Sequence, residues 1–301
     1  MKEIGVILLV AKSSVMIIKD FLPAPQCRSV VQLYRIVHFE FGKEDAFPFK
    51  AYPPKPEEVL HFLLRDGEQI QQLGKPKKDH HLNIVLLGQI TSIANRYAGK
   101  NFLNFQIVFQ PTGLFKITGI PSYELTNLYL DATCIFPKNI TTVYEQLQHA
   151  NTYEDMLAIA DKFVDSLISH ARNNANLLDG VSRVMLQRHG DVSLDWLAKE
   201  TCLCTKQFKR KFNESVGVNP KTYARIIRFT NAFNLKNAYP QFTWLRIAME
   251  CNYHDYQHLV KEYKDFTGLT PNELHALENN SPECRLNLAE ELYKSRAKMF
   301  E

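Results

Sequence analysis

The sequence predicts an α+β fold, with a mainly β N-terminal domain joined through a helical linker to an all-α C-terminal domain. Three observations predict it. Apolar residues up to about residue 111 come in short runs broken by turn formers; from residue 139 onward the period is helical; and one thirteen-residue frame occurs twice, at 208–220 and 259–271. The 301 residues suffice for two cores, and 45% hydrophobic with 23% charged residues is the balance of a globular chain.

The N-terminal run "IGVILLVA" is far shorter than a membrane span and is followed by Lys12, with no small-residue cleavage site. It reads as a short strand or an unstructured leader. Six cysteines, Cys27, Cys134, Cys202, Cys204, Cys251 and Cys284, form no CxxC pair and fit reduced thiols in a cytoplasmic protein. Strands are expected in "VQLYRIVHFEF", "VLHFLLRD", "NIVLLGQI" and "NFLNFQIVFQP", separated by Pro53, Pro54, Pro56, Gly67, Gly88 and Gly99. A helical patch is expected in "PSYELTNLYLD", where Leu125, Leu128 and Tyr129 recur at helical spacing. The resulting N-terminal domain spans 1–138 and has the character of a sensing or dimerising unit.

Residues 139–182 form the helical linker. In "TYEDMLAIADKFVDSLISH" one stripe holds Met156, Ile159, Ala160, Phe163 and Leu167. It suits a dimer interface or, more commonly, packing on its own domain. "NLLDGVSRVMLQRHG" supplies a second helix ending at Gly190.

The C-terminal domain, 183–277, carries the duplicated frame, and 278–301 follows as a tail. "FKRKFNESVGVNP" and "LVKEYKDFTGLTP" share apolar, x, basic, x, aromatic, four residues, Gly, x, cap residue, Pro. Wound as a helix, the first copy puts Lys206, Lys209, Arg210 and Asn213 on one side and Phe208 and Phe212 on the other. Upstream, "SLDWLAKETCLC" gives a short helix with Leu194, Leu197 and Ala198 inward, completing a helix-turn-helix. The second copy repeats this with Ile247, Ala248, Leu259 and Tyr263, Lys261 standing for Arg210, and one extra residue in its turn. Between them "NPKTYARIIRFTNAFNLKNA" reads as a helix holding two reading heads apart, with Arg225 and Arg228 set off from its apolar stripe. Two heads about 34 Å apart would let one chain enter two successive major grooves.

Lys, Arg and Asn are what base edges and phosphates need. The net charge of +4 is concentrated accordingly: residues 183–275 hold 14 Lys and Arg against 9 Asp and Glu. The first head, 193–228, holds 8 against 3, whereas the second, 243–275, holds 3 against 5, so the first is expected to carry most of the salt-dependent affinity. Candidate DNA contacts are Thr205, Lys206, Gln207, Lys209, Arg210 and Asn213 in the first head, and Asp255, Gln257, His258, Lys261 and Lys264 in the second. Asp255 and Glu262 are either acceptors for cytosine amino groups or, as acids more often do, cap and solvate their helix.

With these residues laid out, the stretch 183–277 resembles the AraC/XylS family of bacterial transcription regulators. "GVNPKTYARIIR" and "IAMECNYHDYQHLVKEYKDFTGLTP" carry the likeness. The resemblance implies a homeodomain-like double helix-turn-helix joined by one long helix. It also implies binding of promoter DNA, contact with RNA polymerase, activation rather than repression, and control through the N-terminal domain by a small-molecule effector or by homodimerisation. Departures are Cys251 where the family usually has Gly, Cys204 where Ser is common, and Trp244 where a polar residue is usual. The rival reading is an enzyme or metal-binding β domain fused to a helical interaction module that does not bind DNA. His38 with Glu40, or His80 with His81, are its candidate ligands, but no further ligand at suitable spacing and no phosphate loop accompany them. The sequence therefore calls for no enzyme activity, no cofactor and no metal.

Overall fold

The computed structural model describes residues 3–11, 14–41, 49–72, 78–80, 82–171, 177–285 and 288–297. Eleven strands among them are β1 (Glu3–Ala11), β2 (Ser14–Phe21), β3 (Val31–Glu40), β4 (Phe49–Tyr52), β5 (Val59–Leu63), β6 (Glu68–Gln72), β7 (Lys78–His80), β8 (Ile84–Leu87), β9 (Ala94–Ala98), β10 (Asn101–Phe109) and β11 (Tyr129–Asp131). They form two antiparallel sheets, one ordered β1-β2-β3-β10-β5-β8-β11 and a smaller one ordered β4-β9-β6-β7. The N-terminal run is thus a strand, and the mainly β expectation holds. The helical patch does not: 122–124 is a single tight 3-10 turn and Tyr129–Asp131 joins the large sheet beside β8. Burying Leu125 needs only that turn, so its helical spacing with Leu128, which is exposed, was coincidental.

The large sheet is buried on both faces, and period-two alternation sorts its side chains. Tyr34, Ile36, Leu60, Phe62, Leu86, Phe105 and Ile107 face one way, into the main core. That face is covered by α1 (Gly113–Thr118), α2 (Ile140–Gln148) and α3 (Tyr153–His170). α3 starts at a capping box between Thr152 and Asp155, and its stripe Met156, Ala160, Phe163 and Leu167 packs into this core, with Ile159 partly buried. The stripe is spent on the chain's own sheet rather than on a second copy.

The C-terminal helices are α4 (Asp179–Gln187), α5 (Leu194–Glu200), α6 (Thr205–Val216), α7 (Pro220–Ala238), α8 (Trp244–Glu250), α9 (Tyr256–Thr267), α10 (Pro271–Glu278), α11 (Pro282–Arg285) and α12 (Ala289–Ala297). α4, α5 and α6 build one core on Tyr223 and Ile227 of α7. α8, α9 and α10 build another on Ile226, Phe229 and Phe233 of the same helix, joined by Ala51 and Ile93 of the β domain.

The two domains dock along the length of α7. Tyr223 donates to the Pro56 carbonyl at 3.4 Å and Thr230 to that of Pro54 at 3.3 Å, while the Ile93 amide donates to the Phe266 carbonyl at 3.0 Å. At the first head, Thr126 donates to the Gly217 carbonyl at 2.7 Å and Ser122 to that of Ser215 at 3.3 Å. Gly217 has φ +87°, and a Cβ there would lie 2.7 Å from the Thr126 hydroxyl, so helix end and domain contact both require glycine. Glu58 lies buried close to Tyr223, its carboxylate oxygens unpartnered among the described residues. Burial holds its carboxyl well above the usual range, opposed by the neighbouring Ser122.

A carboxyl with a raised pKa in the folded state is protonated there while the unfolded chain ionises, so stability is present below about pH 4.5 and falls as pH rises above it. Glu58→Gln is expected to raise the urea midpoint at pH 7.5 and to flatten its decline between pH 5 and 8; an unchanged pH profile would remove Glu58 as its source.

Candidate nucleic-acid interface

In the first head, Ser193 caps α5 by accepting from the Trp196 amide at 3.3 Å, and Leu197 and Ala198 are buried against α6. Residues 201–204 make the turn, with Cys202 at φ +52°. α6 buries Phe208 and Phe212, their rings 5.7 Å apart, and Phe212 reaches Tyr223 of α7 at 5.6 Å. That anchor leaves Thr205, Lys206, Gln207, Lys209 and Arg210 exposed and Asn213 half-buried. The Gln207 carbonyl oxygen turns back to accept from the Cys204 amide at 3.4 Å, which leaves its NH2 group to face outward.

The second head repeats the construction. Thr243 caps α8, Ile247 and Ala248 are fully buried, and the turn spans 251–255, one residue longer than its counterpart. The left-handed residue in this turn is Asn252 at φ +55°, whereas Cys251 has φ −101°. The glycine-like position therefore belongs to Asn252, a residue type that tolerates this region, and Cys251 is a buried core residue. Trp244 is half-buried, donating to Asn272 at 2.5 Å and packed edge-on against Tyr263. Gln257, Lys261 and Lys264 are exposed and His258 is half-buried with its ring edge-on to Tyr253. Asp255 caps α9, accepting from the His258 amide at 2.7 Å, and this bond holds its carboxyl below the usual range, with His254 contributing.

Glu262 is neither a base acceptor nor a solvated surface acid. It is 1% exposed and bound by Arg225 at 3.0 Å, Arg228 at 2.8 Å and the Tyr253 hydroxyl at 3.0 Å, while Arg225 also binds Asp265 at 2.6 Å. The α7 arginines thus neutralise acids of the second head instead of standing free as surface charge. Excluding these four residues, the first head keeps 6 basic against 3 acidic residues and the second 3 against 3, so the asymmetry persists but shrinks.

A second site, unseen in the sequence reading, lies between the two sheets. Arg35, Gln106 and His61 stand side by side across β3, β10 and β5 on the face opposite the main core. Arg96 of β9, between Lys50 and Ile70, faces the same space from the small sheet. Together with Tyr52, Lys55 and apolar walls including Val59, Leu87 and Ile90 they line a cleft. Its cations are unequally paired. Arg35 holds Asp20 at 2.9 Å and Glu57 at 3.3 Å, and Arg96 holds Glu68. Lys55 has no carboxylate within ion-pair distance among the described residues and lies 4.7 Å from the Tyr52 ring. Burial pushes its ammonium down to about 8, with repulsion from Arg296 next in size. His61 is 2% exposed; Asn104 contacts its Nδ1 at 3.0 Å, its Nε2 has no partner among the described residues, and burial holds its pKa down at about 3, so it is neutral. The sequence signal was there: charged or ring-nitrogen residues sit inside runs such as "VLHFL" that are otherwise wholly buried.

The rival metal pairs find no support. His38 Nδ1 meets the Tyr153 hydroxyl at 3.1 Å, Arg65 binds both His38 and Glu40, and no group of three candidate ligands occurs among the described residues. The side chains of His80 and His81 lie outside the described residues.

A family described as a helix-turn-helix domain matches residues 197–276, from within α5 into α10. No curated protein matches the chain. Among solved structures, ToxT from Vibrio cholerae is 10% identical over 81% of this chain and 98% of that one, with a TM-score of 0.44. A second ToxT structure, from strain SCE256 with an unsaturated fatty acid bound, is 12% identical over 83% and 95%, also at 0.44. The AraC-like transcriptional activator CuxR is 11% identical over 76% and 87%, at 0.31.

Replacing Glu262 by Ala strands two partly buried guanidinium groups and is expected to cost about 3–5 kcal/mol in chemical denaturation. A loss below about 1 kcal/mol would show the cluster to be dispensable.

Proposed function

We propose that this chain, whose C-terminal domain is a helix-turn-helix domain of the AraC type, regulates transcription by seating α6 and α9 in successive major grooves of a promoter. The observation that carries the reading is the sorted face of α6. Phe208 and Phe212 are fully buried while Lys206, Lys209 and Arg210 stand free of the protein's interior, where a packing interface would have covered them. In this reading Lys206, Lys209 and Arg210 supply charge to phosphates and donors to guanine, Thr205, Gln207 and Asn213 supply neutral contacts, and Gln257, His258, Lys261 and Lys264 read the second groove. Asp255 orders the start of α9 rather than reading bases. Promoter binding would bring the protein beside RNA polymerase in the cytoplasm, and the α3 stripe, buried in the chain's own core, is not a surface for homodimerisation. No helix among the described residues is long and apolar enough to cross a membrane.

The cleft between the sheets is the proposed effector site. A surplus cation, a neutral imidazole with an unused nitrogen and apolar walls suit a small molecule with one acidic group on an apolar body.

Footprinting of the purified chain on genomic fragments, including its own upstream region, is expected to show two protected patches one helical turn apart. Lys209→Glu with Arg210→Glu is expected to weaken binding at least tenfold at 0.15 M salt and to reduce the slope of log K against log salt by about 2. An unchanged slope would remove α6 from the interface. For the cleft, calorimetry with decanoate as the carboxylate is expected to show one site that weakens about tenfold in Lys55→Met and that fades above pH 8, where Lys55 loses its proton. Equal binding by the variant would place any ligand elsewhere.

A further inference from the structure

The last four carbonyls of a helix have no partner within it, so the ends of α6 and α9 must find donors elsewhere. The two copies of the duplicated frame meet this need at the same place. Ser215 and Phe266 occupy equivalent positions, two residues before Gly217 and Gly268, and both carbonyls accept from the β domain. Ser122 Oγ donates to Ser215 at 3.3 Å, and the Ile93 amide donates to Phe266 at 3.0 Å. Thr126 adds a bond to the Gly217 carbonyl at 2.7 Å. One domain therefore holds the C-terminal ends of both helices.

The donors come from two segments well separated in the chain, 88–93 after β8 and 122–127 after α1, and these are fastened to each other. Gly88 lies so close to the Leu125 backbone that a Cβ there would run into the Leu125 carbonyl oxygen. The Asn127 amide donates to the Gln89 carbonyl at 3.0 Å. Asn127 Oδ1 accepts from the Thr91 amide at 2.8 Å, and Asn127 Nδ2 donates to Thr91 Oγ1 at 2.9 Å. The backbone of Asn127 has φ +60°, which asparagine tolerates better than most residues. Gln89 is buried, and its Nε2 donates to the Lys55 carbonyl at 2.7 Å. That bond fixes both segments to the 53–57 stretch, whose Pro54 and Pro56 carbonyls hold α7. The ends of α6 and α9 and the rod between them are thus bonded to one cross-linked unit.

Each head meets α7 through side chains, about which it could rock. A further attachment at the end of α6 and of α9 removes that freedom. Successive bases of a strand are only about 3.4 Å apart, so a small rocking motion is enough to carry a helix from one base pair to the next. We propose that the 88–93 and 122–127 segments form a brace that sets the separation of α6 and α9, with Asn127 as the positioning residue at its joint. The inference rests on both helices entering successive grooves and adds what fixes the operator spacing they accept. Heads held ready at one separation lose little freedom on binding the operator that matches it.

Binding of the full chain to its footprinted operator, and to a copy with one base pair inserted between the two protected patches, tests the brace. The natural protein is expected to bind the lengthened operator about thirtyfold more weakly, because rigidly spaced heads cannot keep both sets of base contacts. Asn127→Gly keeps the positive φ and removes the carboxamide; it is expected to bind the original operator less tightly and to lower the insertion penalty to about threefold. Asn127→Asp still accepts from Thr91 and is expected to restore the natural penalty. A loss of stability alone weakens both complexes by the same factor. An insertion penalty in Asn127→Gly equal to the natural one therefore overturns the brace and leaves the two-groove reading standing. Thr126→Val, which deletes the bond to Gly217 at nearly constant volume, is read in the same way should the glycine variant not fold. Equal binding of both operators by the natural protein also overturns the brace. A natural protein that protects no DNA overturns the regulator reading together with it.

Discussion

Everything in this molecule leans on the burial of α7. Twelve of its nineteen residues are buried, far more than one apolar stripe provides, because three partners share the helix. Tyr223 and Ile227 complete the first head, Ile226, Phe229 and Phe233 complete the second, and Tyr223 and Thr230 also bond to the Pro56 and Pro54 carbonyls of the β domain. Neither head encloses a core without it. Since a helix is stiff and both heads are keyed to its side chains, their relative placement is fixed by rotation along one rod. Pro220 and the Asn219 cap define where the rod begins.

Electrostatics follow from the same crowding. A head that stands against α7 must bring its acids close to that helix's arginines, and Glu262 is drawn inward between Arg225 and Arg228. The pairing removes charge of both signs from the surface. What remains on α6 is a compact set of exposed cations, Lys206, Lys209 and Arg210, with no ion-pair partner among the described residues. The second head keeps a more even balance of charge.

The β domain combines two roles on opposite faces of one sheet. One face is apolar and closed by α3. The other carries Arg35, His61 and Gln106 into a cleft that the small sheet completes with Arg96. Polar groups survive there because most are paired, Arg35 with Asp20 and Arg96 with Glu68. Among the described residues the Lys55 ammonium has no carboxylate partner and His61 Nε2 has no hydrogen-bond partner. The cleft is bounded by β4 and the 53–57 segment, which also touch α7 and the tail, so the cleft and the mount of the two helix-turn-helix heads are built from neighbouring residues.

Much of this was legible in the chain itself. The duplicated frame, the opposed aromatic and basic faces of α6, the caps at Asn219 and Thr270 and the longer second turn all depend on contacts within a few residues, and local sequence dictates local geometry. The strand runs were legible for the same reason. Three features were not. The short turn at 122–124 has helical spacing without being a helix; the left-handed place in the second turn falls on Asn252 rather than Cys251; and Glu262 is a core ion-pair partner rather than a surface acid. These, with the cleft joining strands far apart in the chain and the tail folded back onto β4, are decided by which distant segments meet. The charge, parity or cap of a residue is written at its own position, but its partner is chosen only when the sheets close and α7 is enclosed.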